Sequence, residues 1–341
     1  MIFNFWNIKR SNGLFYYGLD YLNNIFSVEN KNTLLVILRK NVDISDDVFP
    51  TNCKILRCST SAFLYQIAKA FFLGRCIYTP TPHPLPFINN QIVVLHDLYP
   101  FSGRFGKIKE WLFLLSARSS KCLLAYINHT DALRFYKSNK FLEDRLLYAP
   151  NSYGKLDKCN VIKTNCPRDN PSLVVGLVGT DSPKKNYDRL FEHVVKNKKA
   201  MARLKFIFYG HETQYYKELS QQYSAINHSI IMSDKLSMRD YFEHIDILVS
   251  VAEGEGFGRP IATALSSSLP CYLIDEPVFR EFFDGGAIFF SSVDSLITYI
   301  ATVDCIELRQ PVNFIPPSQV SIAFNKVVHI LNSKCCCRGL K

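Results

Sequence analysis

The chain has 341 residues, of which 48% are apolar or aromatic, and its formal net charge is +10. This length and apolar content suffice for two ordinary hydrophobic cores and exclude a disordered or fibrous protein. The positive charge fits a nucleic acid, an anionic membrane surface or a phosphorylated substrate, so the charge alone does not select the partner.

The cysteines and the apolar runs indicate the compartment. There are eleven cysteines, an odd number, and no secretory leader precedes them, so we expect a reducing cytoplasm. Their spacings lack the close pairs of zinc ligands, which predicts no structural metal. No window reaches the roughly 18 uninterrupted apolar residues of a membrane span, so the protein is expected to be soluble or peripheral. For the basic tail with Cys335, Cys336 and Cys337, metal binding, acylation and an unpacked terminus all stay open.

The first half alternates short apolar runs with helical patterns, which predicts a parallel sheet covered on both faces. The predicted strands and helices lie at residues 2–8, 14–26, 33–38, 54–58, 62–73, 92–95, 122–127 and 130–138. A basic turn with Asn12 and Gly13 follows the first strand, at the sheet edge where open α/β sheets bind ligands. An ordinary turn from strand to helix is an equally good interpretation.

Strand 92–95 runs directly into His96 and Asp97. Both side chains can exchange protons or bind sugar hydroxyls, which makes them candidate catalytic groups. The alternative is a turn whose polar groups bond to their own backbone.

Residues 104–121 combine cations with aromatic and aliphatic residues. The cations are Arg104, Lys107, Lys109, Arg118 and Lys121. A basic helix with exposed aromatic residues is typical of a protein that lies on an anionic bilayer. A core helix with solvated flanks is the alternative. Nucleic-acid binding is disfavoured because no nucleic-acid motif accompanies the charges.

A polar stretch at residues 151–171 is the best domain boundary, and the strand and helix alternation restarts after it. We therefore predict an N-terminal Rossmann-like domain over 1–150, a linker over 151–171, a second Rossmann-like domain over 172–318, and a C-terminal helix with a basic tail over 319–341. The second-half elements are predicted at 173–178, 187–196, 204–209, 213–223, 230–231, 238–244, 245–251, 260–267, 271–274, 278–283, 287–290 and 320–331. Two doubly wound sheets that face each other would leave a cleft at their strand ends.

Two loops of the second half carry the strongest ligand-binding signals. Gly179 to Asn186 follows a strand and brings Lys184 and Lys185 into a helix, where cations and helix N–H groups suit a phosphate. The second loop contains Glu253 and Glu255 among three glycines, and Pro260 then opens a helix. The glycines are Gly254, Gly256 and Gly258. Either loop could instead be a solvated surface turn.

Together these stretches resemble the group 1 glycosyltransferases, the retaining nucleotide-sugar enzymes of the GT-B fold. The resemblance is strong over about residues 170–290. It rests on Gly179 to Asn186, on Asp246 to Ser250, on Glu255 to Pro260, and on Pro277 to Glu281 with Asp284 to Ala287. His96 to Pro100 and Ala149 to Asn151 are similar to the family's acceptor-domain and linker signatures.

The resemblance implies a division of roles. Lys185 would bind the leaving diphosphate, Glu255 would contact the donor sugar, and His96 and Asp97 would orient donor or acceptor from the facing domain. The other implied donor-binding residues are Gly179, Thr180, Lys184, Gly256, Phe257, Gly258, Arg259 and Thr263. No cofactor or metal is expected, and the short Asp-x-Asp motif of metal-dependent transferases is absent from the sequence.

Two positions depart from the family's pattern. Thr263 stands where many members carry a second glutamate, and Thr180 stands where many carry an arginine. Lys184 or Arg189 could supply the missing charge. The departures leave the donor's identity open.

The function implied is transfer of a hexose from a nucleotide sugar to a glycan or lipid-linked saccharide, in surface polysaccharide such as O-antigen or capsule, at the inner face of the membrane. A non-catalytic GT-B subunit that binds a glycan or a partner protein is the alternative, and a nucleic-acid-binding protein is a weaker one.

Overall fold

The computed structural model describes residues 1–26, 34–51, 53–102, 104–153 and 172–336. The chain divides into two compact units, one formed by Met1–Ser152 with Pro317–Lys341 and the other by Tyr153–Pro316. Most of the predicted linker, with Cys159 and Cys166, lies outside the described residues, and so does Cys337 of the predicted tail.

The first unit contains seven strands and five helices in its described residues. In chain order these are β1 (Ile2–Asn4), α1 (Gly13–Phe26), β2 (Leu35–Arg39), β3 (Lys54–Cys58), α2 (Thr60–Phe72), β4 (Ile77–Thr79), β5 (Gln91–Leu95), α3 (Gly106–Ser119), β6 (Leu123–Tyr126), α4 (Ala132–Lys137) and β7 (Leu146–Tyr148), with a C-terminal helix at Ser318–Cys336. Short 3₁₀ helices lie at Asp46–Val48, Tyr99–Phe101 and Lys140–Arg145.

All strands of this unit pair in parallel, in the order β3-β2-β1-β4-β5-β6-β7. The chain winds outward in one direction from β1 to β3 and in the other from β4 to β7. The order therefore reverses between β1 and β4, which is the point where doubly wound sheets bind ligands. The prediction of a parallel α/β sheet is confirmed.

The first strand is shorter than predicted. It ends at Asn4, whose side-chain oxygen accepts the backbone N–H of Trp6 at 3.2 Å. This local bond replaces a ladder bond and turns the chain. The sequence analysis missed β4 and β7, because each is only three residues long and a run that short carries no periodicity.

The C-terminal helix packs on the first unit. Phe324 stacks on Tyr21 of α1 with their ring centroids 4.4 Å apart. Val327 and Leu331, one and two turns further on, are fully buried. The three residues form an apolar stripe at three- and four-residue spacing. Through this stripe the last helix packs against the core of residues 1–152, which lie more than 150 positions earlier in the chain.

The second unit contains six strands and eight helices in its described residues. They are β8 (Leu173–Val178), α5 (Tyr187–Lys196), α6 (Lys198–Arg203), β9 (Leu204–Gly210), α7 (Gln214–Gln222), β10 (His228–Met232), α8 (Met238–Phe242), β11 (Ile247–Ser250), α9 (Arg259–Ser266), β12 (Cys271–Ile274), α10 (Pro277–Phe283), β13 (Ile288–Phe290), α11 (Val293–Thr302) and α12 (Cys305–Leu308). The C-terminal helix of the first unit is then α13. The strands again pair in parallel, in the order β10-β9-β8-β11-β12-β13, so the order reverses between β8 and β11.

The sequence analysis missed α6, α11 and α12. Helix α11 begins with a capping box, in which the side chains of Ser292 and Ser295 each bond to the other residue's backbone N–H. The usual signal has Glu or Gln at the second position, so a Ser-x-x-Ser pair is easily overlooked. The helix buries Leu296 and Ile300 in the core of the second unit.

A buried ion pair joins the start of β11 to the segment after α12. Asp246 is fully buried, and its Oδ1 lies 2.9 Å from Nε of the nearly buried Arg309. The other carboxylate oxygen accepts the backbone N–H of Val174 at 2.8 Å. The pair therefore connects two neighbouring strands to the last part of the unit.

We predict that Asp246→Ala lowers the free energy of unfolding by about 3–5 kcal/mol, since it leaves the Arg309 guanidinium buried without its carboxylate. Asp275→Ala is the matched control, because it removes a carboxylate that pairs with Arg280 at 2.7 Å on the surface. Its cost should stay below about 1 kcal/mol. Equal losses for the two variants in urea titrations would contradict the assignment.

Candidate functional site

Two loops meet where the strand order of the second unit reverses. Strands β8 and β11 are neighbours, with Ile247 opposite Val175 and Leu248 opposite Gly176. The lysine loop, residues 179–186, follows β8, and the glycine loop, residues 251–258, follows β11. Both loops therefore leave the carboxyl edge of the sheet side by side, where a ligand site is expected.

The lysine loop has a backbone that requires its glycine. Gly179 has φ of +91°, and a Cβ there would lie 2.9 Å from Cε of Lys185. Residues Pro183–Lys185 form one 3₁₀ turn, and Asn186 closes it with φ of +53°. Asparagine tolerates this left-handed conformation better than other non-glycine residues. The turn brings Lys184 and Lys185 to the sheet edge.

Hydrogen bonds join the two loops directly. The side-chain amide of Asn186 donates to the carbonyl of Val251 at 3.2 Å. In return, the backbone N–H of Glu253 donates to the carbonyl of Lys184 at 3.1 Å. The two loops are thus joined by one bond in each direction.

The structure brings both lysines to Glu255. Lys185 Nζ lies 2.9 Å and Lys184 Nζ 3.5 Å from the same carboxylate oxygen, Oε1. The three side chains keep only 16% to 22% of their exposure. Burial raises the pKa of Glu255, but the charges of Lys185 and Lys184 outweigh it and leave that pKa below its ordinary value. The carboxylate is therefore ionised at neutral pH.

Helix α9 begins directly after the glycine loop. Gly258 has φ of +90°, and a Cβ there would approach Ile261, Phe279 and Phe283 within 3.0–3.3 Å. Pro260 lies in the first turn, as predicted, where its missing N–H costs nothing. The positive end of the helix dipole thus lies beside Glu255 and the lysines.

Phe257 anchors the glycine loop. It is buried, and its ring packs against Phe282 and Tyr153 with centroids 4.8 and 5.4 Å apart. A small pocket of about 20 Å³ opens beside the loop, and its lining includes Lys185, Glu255 and Pro260 but not Phe257. That volume holds about one water molecule. A ligand larger than water would therefore contact the open edge of the site.

Thr180 has a structural environment. It is buried, its hydroxyl donates to the carbonyl of His211 at 2.7 Å, and it accepts the backbone N–H of His211 at 3.0 Å. The carbonyl of Thr180 accepts the hydroxyl of Thr213. Thr180 thus joins the end of β8 to the loop after β9.

Thr263 lies on the exposed face of α9. Its hydroxyl donates to the carbonyl of Arg259, one turn earlier, at 3.0 Å. Arg259 itself is half-buried at the start of the helix. This bond uses the hydroxyl hydrogen of Thr263, so its oxygen is left to accept a hydrogen bond from another group.

The remaining predicted residues lie in the first unit. His96 is buried, and its Nε2 lies 3.0 Å from the carbonyl of Pro80, so this nitrogen carries the proton. Asp97 accepts the backbone N–H of Tyr99 at 3.1 Å. Asn12 accepts the N–H of Phe15 at 3.0 Å at the start of α1, whereas Gly13 has open space around it. The structure thus gives backbone partners to His96, Asp97 and Asn12.

The sequence analysis did not assign the residues that hold the loops in place. These are Asn186, His211 and Thr213, together with the backbone N–H of Glu253. One signal was available, because an asparagine between a basic turn and a helix commonly has positive φ. The contacts across loops had no sequence signal.

Comparisons with known proteins agree on one family. Residues 162–303 match the family described as glycosyl transferases group 1. O-antigen chain mannosyltransferase RfbU of Salmonella typhimurium is 26% identical over 236 residues, which are 65% of this chain and 63% of that relative. The match to the group 1 glycosyltransferases thus covers the part of the chain that carries the site.

Solved structures show the same fold. WaaG, a glycosyltransferase involved in lipopolysaccharide biosynthesis, superposes with a TM-score of 0.64 at 12% identity, covering 97% of this chain and 95% of WaaG. Anabaena HepE, solved with UDP and glucose, gives 0.67 at 16% identity, covering 97% and 99%. The two-sheet architecture is the GT-B fold, as predicted.

We predict that Thr180→Val lowers the free energy of unfolding by about 1–3 kcal/mol, because it removes both hydrogen bonds that the buried Thr180 hydroxyl exchanges with the backbone of His211. Thr263→Val removes a hydroxyl that serves only its own helix, and its effect should stay within about 0.5 kcal/mol. Thermal and urea unfolding of both variants measure the difference. A neutral Thr180→Val would show that the hydroxyl is not needed for the loop.

Proposed function

We propose that the protein is a retaining glycosyltransferase that transfers a hexose from a nucleotide-diphosphate sugar to a glycan or lipid-linked saccharide acceptor. The observation that carries this proposal is the contact of Lys185 and Lys184 with Glu255 at the strand-order reversal. Two cations suited to a diphosphate each lie there within 3.5 Å of a carboxylate suited to sugar hydroxyls.

The chemistry requires stabilisation of charge at both ends of the breaking bond. When the anomeric C–O bond breaks, its electron pair goes to the diphosphate, and the sugar gains oxocarbenium character. Lys185 and Lys184 lie where they would offset the charge on the diphosphate, with the N–H groups from Gly256 to Arg259 at the start of α9. These fixed cations would provide the positive charge that a divalent metal provides in metal-dependent transferases. We therefore propose a metal-independent reaction.

Roles for the other predicted residues are proposed from the resemblance to the family. Glu255 would accept hydrogen bonds from donor-sugar hydroxyls. His96 holds its Nε2 proton towards Pro80, so we assign His96 and Asp97 to orienting the donor sugar or the acceptor hydroxyl. The leaving phosphate would take the acceptor proton as the new glycosidic bond forms on the same face of the sugar.

The pathway is proposed from the named relatives. RfbU is an O-antigen chain mannosyltransferase, and WaaG is involved in lipopolysaccharide biosynthesis. By this likeness we propose a hexosyltransferase of surface polysaccharide, O-antigen or capsule, that acts in the cytoplasm. Cys58, Cys122 and Cys271 are free thiols, which fits a reducing compartment.

We predict that Lys185→Ala and Glu255→Ala each lower sugar transfer by about 10²-fold or more, because each removes a charged group from the reacting centre. Lys217→Ala on the exposed face of α7 is the control and should retain activity. The assay is a screen of nucleotide sugars with a lipid-diphosphate acceptor mimic, read by mass spectrometry. Wild-type turnover in either site variant would remove the assigned site.

Calorimetric titration with UDP and GDP separates the alternatives. The proposed enzyme should bind one of them. Binding of neither would favour the non-catalytic GT-B subunit, and steeply salt-dependent binding to oligonucleotides in their place would favour the nucleic-acid-binding protein.

We also propose that the first unit contacts an anionic membrane surface through α3 and its flanks. Four apolar residues of α3 lie at helical spacing on its exposed side: Ile108, Trp111, Leu112 and Leu115. The opposite side, with Phe113 and Ala117, is buried in the core. The predicted cations of residues 104–121 flank the exposed stripe, and the only carboxylate among residues 104–121 is Glu110. Apolar residues with surrounding cations match an anionic bilayer.

Helix α2 adds to the same surface. The core cluster under α2 includes Ile77 of β4. Ile77 lies opposite Gln91 of β5. Val93, two residues after Gln91 on the same strand, packs under α3. Side chains two residues apart share one face of a sheet, so α2 and α3 cover the same face. The outer side of α2 exposes Leu64, Tyr65 and Phe72. None of the helices in the described residues is both long and apolar enough to cross a membrane.

We predict that Lys107→Glu with Lys109→Glu reduces co-sedimentation with anionic vesicles by about tenfold, because two cations become anions at the lipid surface. Lys198→Glu with Lys199→Glu on α6 makes the same charge change in the other unit and should have little effect. Trp111 in a Trp6→Phe background should show a blue-shifted emission on vesicle binding. Equal binding to zwitterionic vesicles, or an unshifted Trp111, would contradict the proposal.

A further inference from the structure

One carboxylate oxygen holds both cations of the site. Glu255 Oε1 lies 2.9 Å from Lys185 Nζ and 3.5 Å from Lys184 Nζ. The side chains are mostly shielded from water, so the attraction is screened less than at an exposed pair. A diphosphate that binds these lysines therefore meets an anion that already uses the same two charges.

We propose that Glu255 makes the site select the intact nucleotide sugar over the free nucleoside diphosphate, by competing with the diphosphate for Lys185 and Lys184. The inference rests on the proposed function. Glu255 thereby acts as a specificity residue for binding, in addition to its contact with the donor sugar.

The first reason is charge. The terminal phosphate of a nucleoside diphosphate is a monoester with an additional ionisable oxygen, whereas in the nucleotide sugar that oxygen carries the sugar. At neutral pH the product thus carries up to about one more negative charge than the donor, since the second pKa of such a phosphate is about 6. Repulsion from the Glu255 carboxylate is therefore stronger for the product.

The second reason is the fate of the carboxylate when it leaves the lysines. A half-buried carboxylate that loses its ion pair without a new partner is destabilised. The hydroxyls of an intact donor would give it new donors, and a nucleoside diphosphate without the sugar would not. Product release after transfer is favoured for the same reason, because Glu255 returns to Lys185.

The geometry allows this exchange without rearrangement of the loops. Glu255 follows Gly254, which has φ of +68° and no atoms within 4 Å of the position of a Cβ. The small pocket lined by Lys185 and Glu255 also reaches Ser250 at the end of β11. The carboxylate of Glu255 borders this pocket, and the bonds that join the two loops, from Asn186 to Val251 and from Glu253 to Lys184, do not use its side chain, so its separation from the lysines leaves those bonds in place.

The test compares Glu255→Gln with Glu253→Gln by calorimetric titration against UDP, GDP and their nucleotide sugars. Glu253 lies two residues away, and its carboxylate pairs with Arg189 on the surface at 3.1 Å. The two variants lose the same charge from the same loop, but only Glu255→Gln removes it from the lysines.

We expect Glu255→Gln to bind the nucleoside diphosphate about threefold to tenfold more tightly than the wild type does, as expected for removal of a like charge close to a bound anion. The intact donor should gain less or bind more weakly, so the preference for donor over product falls. Glu253→Gln should leave both affinities unchanged. Glu255→Asp, which withdraws the carboxylate by one methylene, should shift the preference in the same direction and serves if the glutamine variant does not fold.

The outcomes are distinct. A wild-type protein that binds neither nucleotides nor nucleotide sugars refutes the proposed function itself. A wild type that binds them, with Glu255 variants that hold the nucleoside diphosphate no more tightly, refutes the competition alone and leaves Glu255 as a sugar contact. An equal gain in Glu253→Gln would assign the effect to net charge and would also refute the proposal.

Discussion

The ion pair of Lys185 and Glu255 is the interaction on which the candidate site depends. The two residues are 70 positions apart in the chain, yet their charged atoms lie 2.9 Å apart. They meet because β8 and β11 are neighbours at the reversal of the strand order, and loops after neighbouring parallel strands share one edge. Gly179 and Gly258 permit the close approach, and the bonds of Asn186 and Glu253 keep the loops in register.

The two units share this architecture but differ at the reversal point. In the second unit charged groups lie together there, and they carry the proposed chemistry. In the first unit, the polar residues at the corresponding edge bond to backbone groups: His96 to Pro80, Asp97 to Tyr99 and Asn12 to Phe15. The proposed roles differ accordingly, with orientation of a ligand at the first edge and stabilisation of a leaving group at the charged edge.

The departures from the family's usual residues have physical explanations of different kinds. Thr180 exchanges two hydrogen bonds with the backbone of His211 and is buried, so the position has become part of the scaffold. Thr263 is exposed and bonds only to its own helix. With no arginine at 180, the positive charge beside Glu255 comes from two consecutive lysines, and the 3₁₀ turn brings both to the same oxygen.

The sequence by itself determined the fold class and the loops that form the site. Strand β8, helix α5 and strand β12 have the predicted bounds, because an uninterrupted apolar run or a strong helical period is a local property of the chain. Short elements such as β4 were missed, since three residues carry no period. Only the tertiary structure decided which side chains meet. Thr180 supports the loop after β9, Phe257 anchors the glycine loop, and Glu255 pairs with both lysines. Those contacts depend on strand order, and strand order is set by how two sheets bury their faces, which no local pattern records.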